Sequence, residues 1–150
     1  MAVATNATCV IRSACADDIG ALVDLATQLG YPVEPLVMRE RLVRVHETRV
    51  GEVFVATDAK AHVVGWTHVV PRLQLAEASF AELIGLVVDQ TARNVGVGAK
   101  LLATAEDWAR EQGFKMLRVR SNVLRERAHK FYLRAGYGER KRQVVLEKTL

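Results

Sequence analysis

One segment of the chain limits its fold more than any other: an apolar strand, a glycine-containing loop, a helix and a second strand in immediate succession. The first strand is AELIGLVVD, residues 81–89, and the second is FKMLRVRS, residues 114–121. A helix from about residue 98 to residue 112 is predicted by apolar residues at helical spacing, Leu101, Leu102, Ala105, Trp108 and Ala109. Because such a unit is almost always a right-handed parallel crossover, the two strands should be parallel. The first strand is nearly all apolar, which predicts burial on both faces.

The remaining elements predict a sheet that is otherwise mostly antiparallel. A first strand at residues 8–12 precedes two helices, and the second helix carries Met38, Leu42 and Val45 on one face. Two β-branched runs, EVFVATD and AHVVGWTHVV, are separated by a short polar turn and predict an antiparallel hairpin. A helix at RERAHKFYLRA and a last strand at QVVLEKTL complete the order β-α-α-β-β-β-α-β-α-β. We therefore predict a single mixed α/β domain over residues 1–150.

Composition and charge describe an ordinary globular chain. No apolar run approaches the ~18 residues that a membrane span needs, and the N-terminal residues do not have the pattern of a secretory signal. Cys9 and Cys15 have no metal or redox spacing, which predicts reduced thiols in a cytoplasmic protein. The net charge of +4 attracts polyanions in general. Its basic residues are dispersed and show no aromatic-basic pattern, so we expect neither nucleic acid nor membrane partners.

Metal and nucleophile motifs are not found. His46, His62, His68 and His129 have no metal-ligand spacing with one another or with the cysteines, so no metal is expected. The three serines lie in no nucleophile elbow, which disfavours a serine hydrolase.

The loop before the central helix, RNVGVGAKLL at residues 93–102, is a candidate phosphate site. A Walker loop needs a hydroxyl residue after its lysine, but Leu101 follows Lys100. A dinucleotide fingerprint needs a third glycine, and Leu101 occupies that position as well. The pattern that remains is R-x-x-G-x-G, formed by Arg93, Gly96 and Gly98. Its glycines allow backbone N–H groups to approach a pyrophosphate, and the helix N-terminus behind them favours negative charge.

With its surroundings, this pattern resembles the acyl-CoA loop of the GNAT superfamily of N-acetyltransferases. LVVD precedes the loop, and HKFYLRAGY, which follows after one strand, is similar to the family's F-Y-x-x-x-G-[FY] signature. The resemblance spans nearly the whole chain, with its motifs between about residues 81 and 137. It implies helices on both faces of a sheet whose parallel strand pair splays apart. It also implies acetyl-CoA as the donor, with the pyrophosphate at Arg93, Asn94, Val95, Gly96, Val97, Gly98, Ala99 and Lys100.

The resemblance also assigns the rest of the cofactor site. The pantetheine arm of CoA would enter between the splayed strands and pair with the backbone of Leu86, Val87 and Val88. A backbone N–H of Val87 or Val88 would then serve as the oxyanion donor. Asn122, after the second splayed strand, matches an asparagine that hydrogen-bonds the pantetheine. The other interpretation of Asn122 is a turn or a helix N-cap.

Glu82 is the candidate general base. A primary amine is mostly protonated near pH 7, so a base must remove a proton before attack. Glu82 opens an otherwise apolar strand, on a face that it should share with Ile84, Leu86 and Val88. In the branch of the family that acetylates protein lysines, a glutamate at this place is the base. Many bacterial members carry the carboxylate two or three positions later, so an exposed strand-end residue is the alternative interpretation of Glu82.

Tyr132 is the candidate general acid. By resemblance, this tyrosine lies on the helix after the second splayed strand and protonates the departing thiolate of CoA. The alternative is that Phe131 and Tyr132 serve only as core packing.

The acceptor is less defined than the donor. The resemblance puts the acceptor pocket near the loop between the first two helices, the third strand and the C-terminal strands, with Tyr31, Glu34, Trp66 and His68 as candidate lining residues. The motif-bearing half is similar to bacterial small-amine acetyltransferases, those of aminoalkylphosphonates included. We expect acetyl transfer to a primary amine by direct attack in a ternary complex. The alternatives are an acyl-CoA-binding sensor and a protein-lysine acetyltransferase, and the assembly is open between a monomer and a homodimer.

Overall fold

A computed structural model describes residues 9–150, so the start of the predicted first strand, Thr8, lies outside the described residues. Over this part of the chain, five strands form one sheet whose spatial order follows the chain. The elements are β1 (Val10–Ser13), α1 (Ile19–Leu29), α2 (Pro35–Thr48), β2 (Glu52–Thr57), β3 (Val63–Arg72), β4 (Phe80–Val88), α3 (Val97–Glu111), β5 (Leu117–Val119) and α4 (Glu126–Arg134). Strands β1 to β4 pair antiparallel, and β4 pairs with β5 in parallel, as the sequence predicts.

The described chain divides into two compact units. One unit ends at Arg120 and contains the whole sheet with α1, α2 and α3, and the other, Ser121–Leu150, contains α4. None of the helices within residues 9–150 combines the length and the apolar character of a membrane span.

Helices cover both faces of the sheet, which confirms this part of the predicted fold. Val55 of β2 belongs to a buried core with Leu22 of α1 and Leu42 of α2. The next residue, Ala56, belongs to a second core with Leu101 of α3. Because consecutive strand residues point to opposite faces, α1 and α2 lie on one face and α3 on the other.

A β-bulge interrupts β4 at Ile84. Toward β3, Gly85 lies opposite His68 and Leu83 lies opposite Val69, which leaves Ile84 as the extra residue. Toward β5, the pairing ends at Leu83. Beyond Leu83 no described strand pairs with that edge of β4, so the two parallel strands splay apart from the bulge onward.

The bulge corrects two expectations about β4. Ile84 is 47% exposed, so the prediction that the strand is buried on both faces is wrong at this residue. Leu86 and Val88 pack in the core of α3, whereas Ile84 lines a cavity with residues of α1 and α2. The expectation that Glu82, Ile84, Leu86 and Val88 share one face is therefore also wrong. The reason is that one extra residue shifts the two-residue alternation of a strand to the other face.

The last predicted strand, QVVLEKTL, is wrong. Residues 137–150 form neither helix nor strand, and Val144, Val145 and Leu146 are 82–89% exposed. Within the unit Ser121–Leu150, α4 is the regular element, so these aliphatic residues have no strand of their own unit to pair with. The predicted strand at residues 114–121 is also shortened to Leu117–Val119.

Gly85 leaves room for the ring of Trp66. A Cβ atom at this position would lie 2.6 Å from Cζ3 and 2.9 Å from Cη2 of the indole. We expect Gly85→Ala to lower the free energy of unfolding by about 1–3 kcal/mol, because the indole must move away from the strand. The control is Gly20→Ala in α1, where a Cβ atom meets nothing within 4 Å and should stabilise by about 0.5–1 kcal/mol. Urea titrations measure the free energy of unfolding of both variants. Equal values for the two variants would contradict the close contact between Gly85 and the ring of Trp66.

Candidate active site

Asp89 ties the loop after β4 to α1. Its carboxylate accepts hydrogen bonds from the backbone N of Thr91 at 2.8 Å and from Nε2 of Gln28 at 2.9 Å. The hydroxyl of Thr91 also donates to it, and these bonds, led by that of the hydroxyl and followed by that of Gln28, lower the pKa of Asp89. Oε1 of Gln28 in turn accepts from the backbone N of Gln90 at 3.2 Å. Sequence reasoning missed Gln28, since no local pattern indicates a contact between α1 and this loop.

The predicted phosphate-binding residues form the bend that leads into α3. Asn94 and Gly96 have positive φ angles of 66° and 86°, and Gly96 is the residue just before α3. Nε of Arg93 donates to the carbonyl oxygen of Val88 at 3.2 Å. Arg93 therefore stabilises the bend through the backbone of β4. The sequence analysis predicted a contact of Arg93 with the pyrophosphate but not this contact with the backbone.

The N-terminus of α3 is open to an anion. Its first helical hydrogen bond runs from the backbone N of Lys100 to the carbonyl oxygen of Gly96 at 3.1 Å. The N–H groups of residues 97–99 therefore have no acceptor within the helix. Gly96 has no side chain to cap them, and the side chain of Lys100 is exposed beside them. Free N–H groups, the helix dipole and a lysine are together suited to a pyrophosphate.

The splayed edge of β4 presents backbone groups. The backbone N of Asp89, one residue beyond β4, donates to a carbonyl of β3 at 2.8 Å. Because N–H groups alternate between the two edges of a strand, those of Leu86 and Val88 point away from β3. Of the three residues predicted to pair with pantetheine, Leu86 and Val88 thus have N–H groups on the opened edge. The N–H of Val87 points toward β3.

Glu82 is buried between two arginines. It is 2% exposed, so the alternative interpretation as an exposed strand-end residue is wrong. Its Oε1 forms an ion pair with Nε of Arg120 at 2.7 Å, and its Oε2 accepts a hydrogen bond from Nε of Arg72. Both carboxylate oxygens are therefore engaged by arginines.

A cavity of about 710 Å³ lies against α1, α2 and the sheet. The apolar part of its wall is formed by Leu22, Ala26, Leu29, Met38, Leu42, Val45 and Val53. Tyr31, Trp66 and His68, three of the predicted acceptor-lining residues, are in the wall, whereas Glu34 is not among its described residues. Ile84 also lines the cavity, so the cavity reaches the point at which β4 leaves β5.

Two polar atoms in the cavity wall, Nε1 of Trp66 and Nε2 of His68, are buried without a hydrogen-bond partner among residues 9–150. Burial lowers the pKa of His68 to about 4, so the imidazole is neutral near pH 7. An indole N–H is a donor, and a neutral imidazole nitrogen is a donor or an acceptor according to its tautomer. Unpartnered buried polar atoms cost free energy, and a rotation of either ring that turned its nitrogen to the cavity would let a polar group of a ligand satisfy it.

Asn122 organises a turn at the start of the unit Ser121–Leu150. Its Oδ1 accepts from the backbone N of Leu124 at 2.9 Å. Its carbonyl oxygen accepts from the backbone N of Arg125 and lies 2.9 Å from Nε2 of His129. The turn is thereby confirmed, but the residue before α4 is Arg125, so the N-cap interpretation is wrong. The contact of Asn122 with pantetheine stays a prediction.

Tyr132 lies on α4 in a cluster of aromatic rings. Its ring centroid is 5.1 Å from that of Phe131 and 5.7 Å from that of Tyr137, both edge to face. Burial raises the pKa of Tyr132 to about 12, although the nearby charge of Arg125 opposes the shift. The hydroxyl is therefore protonated at neutral pH, as a general acid must be. The same ring also packs, so the packing role and the acid role are compatible.

Metal ligands and thiols do not gather in the described site. Over residues 9–150, no group of three or more His, Cys, Asp or Glu side chains is arranged to hold a metal ion. Cys9 and Cys15 are free thiols, and neither is among the described residues of the cavity wall.

Comparison with known sequences points to one family. A sequence model of the acetyltransferase (GNAT) family matches residues 21–137. The aminoalkylphosphonate N-acetyltransferase of Salmonella typhimurium is 38% identical over 76 residues, which are 50% of this chain and 49% of that protein. The chain thus matches about half the length of this relative. An aminoglycoside N(6')-acetyltransferase type 1 of Serratia marcescens is 28% identical over 142 residues, covering 89% of this chain and 94% of that protein.

A solved structure matches nearly the whole chain. The aminoglycoside N-acetyltransferase AAC(6')-Iy, crystallised with CoA, superposes with a TM-score of 0.87 over 99% of this chain and 100% of its own. The sequence identity is 16%, so the likeness concerns the fold. It confirms the predicted class, a mixed and mostly antiparallel sheet with a splayed parallel pair.

The burial of His68 makes stability depend on pH. Its pKa is about 4 in the folded protein and about 6.5 in the unfolded chain, so only the unfolded chain binds this proton between the two values. Stability should therefore fall as the pH drops from about 6.5 to 4, by at most about 3 kcal/mol. We expect His68→Gln to remove this slope from urea-derived unfolding free energies measured between pH 4 and 7. An unchanged slope in the variant would mean that His68 is not held neutral by burial.

Proposed function

Because the chain belongs to the GNAT family of acetyltransferases, we propose that it transfers the acetyl group of acetyl-CoA to the nitrogen of a primary amine. The observation that carries this proposal is that two spaces meet at Ile84. The splayed edge of β4 starts there, and the cavity against α1 and α2 reaches the same residue. A thioester lying along that edge would present its carbonyl carbon to an amine in the cavity.

The donor would be held mainly by backbone groups. The pyrophosphate is proposed to lie at the N-terminus of α3, against the free N–H groups of residues 97–99 and the side chain of Lys100. The pantetheine amides are proposed to pair with Leu86 and Val88, whose N–H groups lie on the opened edge of β4. Asn122 would offer its side-chain NH₂ group to the pantetheine, because its Oδ1 is engaged in the turn.

The reaction makes one bond and breaks one. The amine nitrogen attacks the carbonyl carbon of the thioester directly, and the C–S bond of the tetrahedral intermediate then breaks. The N–H of Val88 or Leu86 would stabilise the negative charge that develops on the carbonyl oxygen. The protonated amine loses one proton before it attacks and a second from the tetrahedral intermediate, and the sulfur of CoA gains one, so the reaction requires an acceptor and a donor of protons.

Glu82 is our proposed proton acceptor. Because both of its oxygens are already engaged by arginines, a water exchanged for one guanidinium contact would have to carry the proton. His68 is proposed to assist from the cavity wall, where a neutral imidazole can accept a hydrogen bond from the amine and orient its lone pair. This division of roles is supported by the burial of Glu82 and by the position of His68 in the wall.

Tyr132 is our proposed proton donor for the thiolate. Two observations support it: the family signature around Phe131 and Tyr132, and a hydroxyl whose raised pKa keeps its proton at neutral pH. A thiol has a reference pKa of about 8.5, so a nascent thiolate would compete for this proton only within a positioned hydrogen bond.

The acceptor is proposed to be a small molecule. The cavity volume is in the range of small-molecule sites, and its wall is mostly apolar. The names of the matched relatives, which describe acetylation of an aminoalkylphosphonate and of an aminoglycoside, also support a small amine. We further propose a cytoplasmic protein, which its free cysteines support, and a homodimer, which analytical ultracentrifugation tests.

The cofactor loop is tested by a matched pair of glycines. Gly96 and Gly113 have φ angles of 86° and 84°, and a Cβ atom at either position meets nothing within 4 Å. Replacing either one by Gln should therefore cost about the same stability, roughly 1–2 kcal/mol. Only Gly96→Gln should weaken CoA binding, by at least about tenfold, because its side chain would cover the pyrophosphate site. Calorimetric titration with CoA measures the affinity of both variants. A wild-type affinity for CoA in Gly96→Gln would show that the loop is not part of the donor site.

An assay of CoA thiol release tests the acetyl transfer and also the proposed roles of Tyr132 and Glu82 in moving protons. With acetyl-CoA and a panel of primary amines, the protein should release CoA thiol in an amine-dependent manner. Tyr132→Phe should lower kcat about 10²-fold with little change in acetyl-CoA affinity, and Glu82→Gln should lower kcat by about the same factor. Unchanged turnover in either variant excludes that residue. Tight CoA binding without transfer to any amine would support a sensor, and activity confined to lysine peptides would support a protein acetyltransferase.

A further inference from the structure

The cavity wall carries a positive charge that no carboxylate of the described wall balances. Arg41 lines the cavity, and none of the described lining residues is an Asp or Glu. With the residues from 9 to 150, the guanidinium of Arg41 makes neither a hydrogen bond nor an ion pair. Its side chain is exposed and so remains accessible to an anion.

Arg41 belongs to the inner stripe of α2. Met38, Leu42 and Val45 line the cavity with the spacing of one helix face, and Arg41, three residues after Met38, continues that face. Arg44, one turn of helix away, is exposed and does not line the cavity among the described residues. The aliphatic stem of Arg41 can therefore follow the apolar wall while its charged end stays at the rim.

A second polar region lies on β3. The unpartnered Nε1 of Trp66 and Nε2 of His68 share the wall with Ile84, where the acetyl group would arrive. The remaining lining residues of α1, α2 and β2 are apolar. The cavity therefore combines a cationic rim, an apolar body and a neutral hydrogen-bonding region beside the splayed strands.

We propose that the acceptor is an amine that carries an anionic group, a carboxylate or a phosphonate, on an apolar body. The anionic group pairs with Arg41, the apolar body fills the cavity, and the amino group lies beside His68 and Ile84. Arg41 suits this role because a guanidinium binds planar oxyanions through paired hydrogen bonds. The same charge, in a wall without carboxylates, disfavours polycations such as aminoglycosides and polyamines. The inference rests on the proposed function, since it names the acceptor of that reaction.

A matched set of amines tests the charge preference. 4-(Aminomethyl)benzoate, 4-methylbenzylamine and 1,4-bis(aminomethyl)benzene share one ring and one aminomethyl arm, and their opposite substituent is anionic, neutral or cationic. We expect kcat/KM for the benzoate to exceed that for the neutral amine about tenfold or more, with the diamine below both. 4-(Aminomethyl)phenylphosphonate in the same assay shows which anion class is preferred.

Variants of α2 assign the preference to one residue. Arg41→Gln should lower kcat/KM for the benzoate about tenfold more than kcat/KM for the neutral amine, which a merely structural role would not produce. Arg41→Glu should shift the preference toward the diamine. Arg44→Gln is the control, because it removes the same charge from the same helix outside the cavity, and it should keep the wild-type order.

The outcomes separate this inference from the proposed function. Equal use of the three amines by the wild type, or an unchanged preference in Arg41→Gln, overturns the inference while acetyl transfer stands. If no amine is acetylated at all, the proposed function fails instead. Calorimetric binding of 4-(aminomethyl)benzoate then decides the inference separately: binding that Arg41→Gln weakens about tenfold supports the anion site, and no binding overturns it.

Discussion

The parting of β4 from β5 after Leu83 is the constraint on which the rest of the candidate site depends. A strand that stayed paired on both edges would have no free N–H groups for a ligand. The bulge at Ile84 coincides with the end of pairing, so the same residue ends the ladder and turns its side chain into the cavity. Gly85, next to it, leaves the space that the ring of Trp66 occupies. One local irregularity thus creates the opened edge and shapes the wall beside it.

Charged side chains stabilise the base of that opening. Glu82 of β4 binds Arg72 at the end of β3 and Arg120 just beyond β5, so one buried carboxylate joins three neighbouring strands. Arg118 of β5 lies 3.8 Å from the ring centroid of Phe80 and reinforces the same region. Glu82 is the buried member of both pairs, whereas the side chains of Arg72 and Arg120 are 46% and 66% exposed, so the arginines offset the cost of burying this carboxylate. Glu82 is therefore a structural residue whether or not it also accepts a proton, and the distinction requires kinetics.

Residues near one another in sequence account for most of what could be predicted. The helix of α3, its glycine-rich start and the parallel crossover follow from periodicity and from residue types within about forty positions. The three residues Tyr31, Trp66 and His68 were expected in the acceptor wall and do line the cavity. Arg41 was missed, although its spacing from Met38 offered a signal, because an arginine on an amphipathic helix is usually solvated. Gln28 gave no such signal, since its partner Asp89 is far away in the chain.

The sequence by itself determined most of the element types, the glycine-containing loop before α3 and the family, because these depend on local periodicity, glycine positions and short motifs. Only the tertiary structure decided the face of the sheet on which Ile84 lies, the burial of Glu82 between two arginines and the position of Arg41 at a cavity. It also decided that residues 137–150 form no strand. Each of these depends on strand register or on contacts between segments distant in the chain. A bulge of one residue reverses every face assignment beyond it, and an aliphatic run without a paired neighbour does not become a strand.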